Sequence, residues 1–149
     1  MRSFLLLFFC TMLQISHAQT TWRTDFQQAK EQAIAGNKFI LLNFSGSDWC
    51  GPCIKLKKEI LSTSSFLEFA ATGLILINAD FPRLKKNALP KEVVQQNEKL
   101  AEQYNPQGIF PCTLLLNTQG KVLKTWDGLP GVTPEQFTQQ ISDIIHAGN

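Results

Sequence analysis

Two cysteines separated by two residues, Cys50 and Cys53, carry the clearest chemical potential in this chain. A Cys-x-x-Cys pair serves either as half of a structural zinc site or as a redox-active dithiol. A structural zinc site needs four ligands, and beyond residue 18 the chain offers only Cys112 and His146 in addition to the pair. We therefore favour the dithiol and expect neither a metal nor a cofactor, with zinc as the alternative.

The dithiol hypothesis rests on where the pair falls in the predicted secondary structure. An apolar run over residues 39–44 predicts a buried strand, and the cysteines follow where a helix should begin. Unpaired backbone N–H groups and the helix dipole at that position favour a thiolate. We expect Cys50 to be exposed and to attack, and Cys53, one turn later, to be more buried and to resolve the mixed disulfide. Pro52 is tolerated in a first turn, and Trp49 would shield the site and contact a substrate chain.

The N-terminal segment has the features of a secretory signal. A basic start, an apolar stretch over residues 4–13 that is too short to span a membrane, and small residues at Ser16 and Ala18 predict a cleaved signal peptide over residues 1–18. A lipid anchor on Cys10 is the alternative, although two bulky phenylalanines precede that cysteine.

Export changes how the remaining cysteines are interpreted, because disulfides persist outside the cytosol. Cleavage leaves three cysteines, an odd number that argues against a disulfide scaffold and for a working dithiol. No later apolar run has membrane length, so we expect a soluble mature domain. The C-terminus lacks a retrieval signal, which favours a bacterial periplasm, with secretion as the alternative.

Chain length and net charge indicate the number of domains and the kind of partner. The chain has 149 residues, 44% of them apolar, which suits one domain over residues 19–149. The net charge is +2, and the densest basic run, Lys55, Lys57 and Lys58, is followed at once by Glu59. That run is typical of a solvated helix face, so we expect no nucleic-acid partner.

Apolar spacing and turn residues predict one alternating α/β domain. Strand–helix–strand wiring implies a parallel pair with a right-handed crossover, and the later hairpin adds an antiparallel edge. The predicted elements are a helix capped by Thr24, with Trp22, Phe26, Ala29 and Ala33 at helical spacing, a strand over 39–44, a helix after the cysteines, a short helix opened by Ser65, a strand over 74–78, a helix over 90–104, hairpin strands over 112–116 and 121–126, and a last helix capped by Thr133.

The motif and its surroundings resemble a known family. The segment Trp49-Cys50-Gly51-Pro52-Cys53 is identical to the active-site motif of thioredoxins, and residues 44–59 are similar to exported bacterial thioredoxin-like proteins. Asn97, Leu100, Ala101 and Tyr104 fit the same group. The resemblance covers essentially the whole mature chain and implies a three-layer thioredoxin-like fold, a central mixed sheet with helices on both faces.

The same resemblance implies roles for residues outside the cysteine pair. Pro111 matches the family's cis-proline, which packs beside the cysteines and presents backbone groups to a bound peptide. The supporting or substrate-binding residues implied are Trp49, Gly51, Pro52, Phe110 and Pro111.

Two departures from the family affect the chemistry. Asn43 stands where thioredoxins have a buried aspartate that helps to move the proton of the second cysteine; another group or water must replace it, or the second step is slower. Asp48 lies nearby but is expected to be a loop residue facing solvent. Cys112 replaces the usual threonine after Pro111. It is either an inert core thiol or a possible third thiol that exchanges with Cys50.

These observations predict a thiol–disulfide oxidoreductase that acts on disulfides or dithiols of exported proteins in the reducing or isomerising direction. Its partners would be exported proteins with cysteines and a membrane-bound thiol electron donor. The alternative is a non-catalytic binding module on the same fold. A peroxidase is disfavoured because Arg23 and Arg83, the two arginines after residue 18, are remote from the motif in sequence.

Overall fold

The computed structural model describes residues 20–147, so the signal peptide expected over residues 1–18 lies outside the described residues. A π-helical turn, Lys57–Leu61, continues the second helix, and a short 3₁₀ turn, Lys85–Asn87, follows the second strand. Within the described range the elements are α1 (Phe26–Gly36), β1 (Phe39–Ser45), α2 (Gly51–Leu56), α3 (Ser64–Gly73), β2 (Leu74–Asp80), α4 (Lys91–Tyr104), β3 (Cys112–Leu116), β4 (Val122–Asp127) and α5 (Pro134–Ala147).

The four strands form one mixed sheet in the order β2-β1-β3-β4. β1 pairs with β2 in parallel and with β3 in the antiparallel sense, and β3 and β4 form the hairpin. β1 therefore lies inside the sheet, and its side chains are buried from Ile40 to Ser45, as a strand covered on both faces requires. The predicted parallel pair with an antiparallel edge is confirmed.

Helices cover both faces of the sheet. Ala29 and Ala33 of α1 and Leu100 of α4 pack with alternate strand residues on one face. Apolar residues of α2, its π-helical turn, α3 and α5 pack on the other face, around Phe66 and Phe137. Burial of these two apolar layers, one on each side of β1, is the main stabilising contribution. The predicted three-layer thioredoxin-like fold is confirmed.

The cysteine motif, Pro111 and the loop after β2 all lie at one edge of the sheet. β1, β2 and β4 run in the same direction and end at this edge with Ser45, Asp80 and Asp127, while β3 begins there with Cys112. The cysteine motif leaves β1, Pro111 enters β3, and the loop after β2 begins beside the motif. Adjacent strands are about 4.8 Å apart, so these segments are neighbours in space although they are distant in sequence.

The ends of two helices differ from the sequence prediction. α1 is capped by Asp25 and not by Thr24; the Asp25 carboxylate accepts a hydrogen bond from the backbone N–H of Gln28 at 2.9 Å. α3 is capped by Thr63 and not by Ser65. The N-cap is the residue that directly precedes the first helical residue. Ser, Thr and Asp have similar preferences for this position, so the sequence does not distinguish between such residues when they are neighbours.

Trp22 also lies elsewhere than predicted. It precedes α1 and packs against Phe66, with ring centroids 6.3 Å apart, on the face opposite to α1. Its neighbour Arg23 pairs with Ile77 of β2 as an isolated parallel bridge. The apolar spacing of Trp22 fits a helix, but the bridge to β2 draws the chain into an extended conformation.

The helix cap can be tested with two neighbouring substitutions. Asp25→Ala removes the side-chain acceptor of the Gln28 N–H and should lower the free energy of unfolding by about 1 kcal/mol. Thr24→Ala is the matched control, with an expected change within about 0.5 kcal/mol. Urea unfolding of both variants gives the comparison, and a larger loss for Thr24→Ala than for Asp25→Ala would contradict the assignment.

Candidate active site

The cysteine pair closes a disulfide at the beginning of α2. The Cys50 and Cys53 sulfurs are 2.10 Å apart and their Cα atoms 5.2 Å apart. Cys50 is the N-cap residue, and its sulfur accepts a hydrogen bond from the Cys53 backbone N–H at 3.2 Å. The backbone N–H of Cys50 donates to the Gly46 carbonyl at 2.9 Å, which fixes the turn between β1 and α2. The pair therefore lies at the helix N-terminus, as its spacing predicts.

The expectation that Cys50 is exposed is wrong for this disulfide form. Cys50 is 5% exposed and Cys53 3%, so the two differ little in burial. As the N-cap, Cys50 turns its side chain back over the first helical turn and bonds to Cys53. Gly51 and Pro52, which lie between the cysteines, are the exposed part of the motif.

Trp49 is held rigidly beside the disulfide. Its indole N–H donates to the Phe81 carbonyl at 2.7 Å, and its ring meets the Phe110 ring edge-on at a centroid distance of 5.4 Å. A side-chain Cβ placed on Gly46 would lie 2.3 Å from the indole, so only glycine leaves room for this contact. The sequence marks Gly46 only as a loop residue, because this close contact is invisible there.

Arg83 lies over the same indole, with its guanidinium carbon 3.8 Å from the ring centroid. The guanidinium thus forms a cation–π contact. Sequence distance suggested that this arginine is remote from the motif, and the structure corrects that expectation. β2 ends next to β1, so the loop after β2 returns to the motif.

Asp48 ties this loop to the motif. Its carboxylate accepts hydrogen bonds from the backbone N–H groups of Arg83 and Leu84, at 2.9 and 3.0 Å, and from the side-chain amide of Asn87 at 2.9 Å. The Arg83 N–H, then the Asn87 amide and the Leu84 N–H, hold the pKa of Asp48 below its ordinary value. Asp48 is a loop residue, as expected, but its carboxylate faces protein donors, which sequence alone did not indicate.

The backbone that leads to Pro111 is held by the buried side-chain amide of Asn105. The Asn105 side chain accepts from the Ile109 N–H at 3.0 Å and donates to the Ile109 carbonyl at 2.8 Å. The peptide bond from Phe110 to Pro111 is cis, as the family resemblance implies. The Pro111 carbonyl accepts from the Gly128 N–H at 2.8 Å. The sequence reasoning did not single out Asn105, although an Asn that begins a turn is a known local signal.

Asn43 belongs to a row of uncharged polar side chains across three strands. Its amide donates to the Asn78 oxygen and its own oxygen accepts from the Thr113 hydroxyl, both at 3.0 Å. Alternation along β1 places Asn43 on the same face as Leu41, which is the face that α2 covers. None of these three groups titrates in the physiological range, so the row supplies no base for Cys53.

Cys112 lies on the other face of the sheet. It is 2% exposed and packs in the layer formed with α1 and α4, away from α2. Its thiol donates to the Asp127 carboxylate at 3.6 Å. Burial, then the Asp127 charge and hydrogen bond, raise the pKa of Cys112 to about 12. This geometry favours an inert thiol over a third redox partner.

The remaining candidate zinc ligand is used locally. His146 lies in the last turn of α5, where its Nδ1 is 2.7 Å from the Ser142 carbonyl oxygen. Within residues 20–147, no group of three or more His, Cys, Asp or Glu side chains is arranged to hold a metal ion.

Comparison with known proteins gives a consistent set of relatives. The model of the thioredoxin-like domain matches residues 26–145. The disulfide bond reductase DsbH of Chlamydia pneumoniae is 38% identical over 117 residues, which are 78% of this chain and 68% of that protein. The thioredoxin-related protein DsbJ of the same organism is 30% identical over 126 residues, 85% of this chain but only 35% of that protein. A solved structure of a DsbH oxidoreductase superposes with a TM-score of 0.77 at 32% identity, covering 87% of this chain and 86% of that one.

The pKa of Cys112 makes a prediction about its reactivity. A thiol with a pKa of about 12 is thiolate in roughly one molecule in ten thousand at pH 8. Iodoacetamide should therefore modify Cys112 about a thousandfold more slowly in the folded protein than in the unfolded chain, whether the disulfide is closed or reduced. Mass spectrometry of the labelled peptides measures this. Rapid labelling of Cys112 in the reduced, folded protein would make it a participant in thiol exchange.

Proposed function

Because the chain belongs to the thioredoxin-like family and is a thiol–disulfide oxidoreductase, we propose that it reduces or isomerises disulfides of exported proteins through Cys50 and Cys53. The observation that carries the proposal is the cysteine pair at the start of α2, bordered by the rings of Trp49 and Phe110. The reducing direction is supported by the relative described as a disulfide bond reductase.

The first step is attack by Cys50 in the dithiol form. Its thiolate is favoured by the helix dipole and by the Cys53 N–H, which donates to the Cys50 sulfur. The thiolate attacks one sulfur of a client disulfide, and the other client sulfur leaves as a thiolate. The Cys53 thiolate then attacks the Cys50 sulfur of the mixed disulfide. The second client thiol is released, two electrons have passed to the client, and the enzyme retains the Cys50–Cys53 disulfide.

The proton on Cys53 needs an acceptor before the second step. The sheet beneath α2 offers Asn43, Asn78 and Thr113, which are hydrogen-bonded to one another and cannot take a proton. We assign the proton to the client thiolate that leaves in the first step, directly or through water. That thiolate has an ordinary pKa of about 8.5 and is formed at the site where the proton is needed.

The client chain would lie across Trp49, Phe110 and Pro111. The two rings, which contact each other edge-on, supply the apolar part of this surface. The Pro111 carbonyl is engaged by Gly128, and both backbone groups of Ile109 are engaged by Asn105. The backbone of Phe110 is therefore the group that we assign to hydrogen bonding with an extended client segment.

Each reductive cycle leaves a disulfide that an external dithiol must reduce. We assign this role to a membrane-bound thiol donor and place the enzyme in the periplasm, where exported clients meet it; secretion is the alternative. Within residues 20–147, no helix combines the length and apolar character needed to cross a membrane.

Cysteine substitutions test the assignment of roles. Cys53→Ser should accumulate a mixed disulfide between Cys50 and a client peptide, because the resolving thiol is gone, whereas Cys50→Ser should form none and lose turnover. Cys112→Ser is the control and should keep wild-type turnover. Non-reducing mass spectrometry identifies the linked residues. A mixed disulfide that forms through Cys53 in the Cys50→Ser variant, at the wild-type rate, would reverse the roles.

The reduction potential separates the enzyme from a binding module. Equilibration against dithiothreitol should give a value near −270 mV, typical of reductants of this fold, and Cys112→Ser should leave it unchanged. A value below about −300 mV together with no reduction of a disulfide substrate would indicate a structural disulfide in a non-catalytic binding protein.

A further inference from the structure

The loop after β2 presents a cluster of positive charge next to the motif. We call residues 81–88 the basic loop; it contains Arg83, Lys85 and Lys86, all exposed, and no acidic residue. Leu84, between the cations, is 48% exposed. An exposed leucine among cations offers apolar contact as well as charge, a combination that suits a protein segment.

The basic loop is held in place and is not a loosely solvated run. The Phe81 N–H donates to the Ser45 carbonyl at 2.8 Å, and the Phe81 carbonyl accepts from the Trp49 indole. Asp48 binds the loop at three further donors, as described above. Because these contacts join the loop to β1 and to the motif, its backbone is fixed relative to Cys50, which limits the backbone entropy lost on binding a partner.

Two carboxylates lie at the base of the loop, and both are engaged by the protein. Asp48 faces the backbone of the loop, and Asp80 accepts from the Ser47 N–H at 2.9 Å and from the Ser47 hydroxyl at 2.5 Å. The cationic side chains form the outer rim. Charge at this rim acts over about 8 Å at physiological salt, a little less than two strand spacings.

The edge of the sheet is therefore electrostatically asymmetric. The basic loop follows β2, the motif follows β1, and the acidic Asp127 ends β4 at the far side. A segment bound across the motif meets positive charge toward β2 and negative charge toward β4. An acidic stretch toward β2 is attracted, and a basic stretch in the same place is repelled.

We propose that the basic loop is a docking surface for an acidic segment of the client protein, located next to the client cysteine that Cys50 attacks. The inference rests on the proposed function and adds the chemical class of client to it. Arg83 is held against Trp49, while Lys85 and Lys86 extend the surface outward. The main effect falls on capture of the client, since rim charges act mostly on association rates.

The test uses three synthetic peptides that differ only in the residues flanking one intramolecular disulfide: glutamates, glutamines or lysines. The wild-type enzyme, supplied with dithiothreitol, should reduce the glutamate peptide with a kcat/KM about tenfold above that of the lysine peptide at low salt. The difference should shrink toward equality in about 0.5 M NaCl. Uncatalysed reduction of each peptide by dithiothreitol is subtracted.

Charge-reversing substitutions test whether Lys85 and Lys86 cause the difference in kcat/KM between the peptides. Lys85→Glu with Lys86→Glu should reverse the order of the glutamate and lysine peptides, and Lys85→Gln with Lys86→Gln should reduce the ratio without reversing it. The matched control is Lys99→Glu with Lys121→Glu, the same change in net charge at exposed residues of α4 and of the β3–β4 turn, which lies at the opposite end of the sheet. The control should keep the wild-type order. Circular dichroism and thermal unfolding check that each variant is folded.

The outcomes separate this inference from the proposed function. If no peptide is reduced faster than by dithiothreitol alone, the proposed function fails. If the glutamine peptide is reduced but the glutamate and lysine peptides are equivalent, or if the control double variant changes their ratio as much as the Lys85 and Lys86 changes do, the docking surface is wrong and the enzyme stands. Binding of the basic loop to anionic vesicles with no effect on the peptide ratio would assign the surface to a membrane and also overturn the inference.

Discussion

The rest of the structure depends on β1 being buried on both faces. A strand in that position is largely apolar, its buried polar side chain Asn43 is hydrogen-bonded within the sheet, and it is paired with a strand on each side. Its carboxyl end therefore delivers the motif to the start of α2, where the backbone favours a thiolate. Because β2 and β3 flank β1, the basic loop and the cis-proline loop reach the same edge, and the site is assembled by the order of the strands.

The polar side chains of the sheet beneath the cysteine pair are hydrogen-bonded to one another. The row formed by Asn78, Asn43 and Thr113 fills the polar positions beneath α2 without a charge, so it costs little to bury and does not respond to pH. An aspartate at the central position would bring a base but also a charge that must be desolvated. The chain has an uncharged support beneath the cysteines, which is why we assign proton transfer to the client thiolate.

The local parts of this architecture could be predicted from the sequence, and the long-range parts could not. The apolar run of β1, the hairpin after Pro111 and the motif at a helix start are marked by neighbouring residues. The contacts of Arg83 with Trp49 and of Asp48 with the basic loop join positions more than thirty residues apart, and no spacing reveals them. The spacing of Trp22 fits a helix, but the bridge between its neighbour Arg23 and β2 joins residues too far apart in sequence for that spacing to reveal. Cys50 is buried in the form that carries the disulfide, and the oxidation state of a cysteine pair is not a property of the sequence.

The way in which Asp48 holds the basic loop has an evolutionary consequence. Its carboxylate accepts hydrogen bonds from two backbone N–H groups and from the side chain of Asn87, so the contacts that hold the loop do not involve the side chains at positions 84–86. Those positions can change sign or size without moving the motif. Duplicated copies of such a gene could acquire different clientele through a few surface substitutions while inheriting the same redox couple intact.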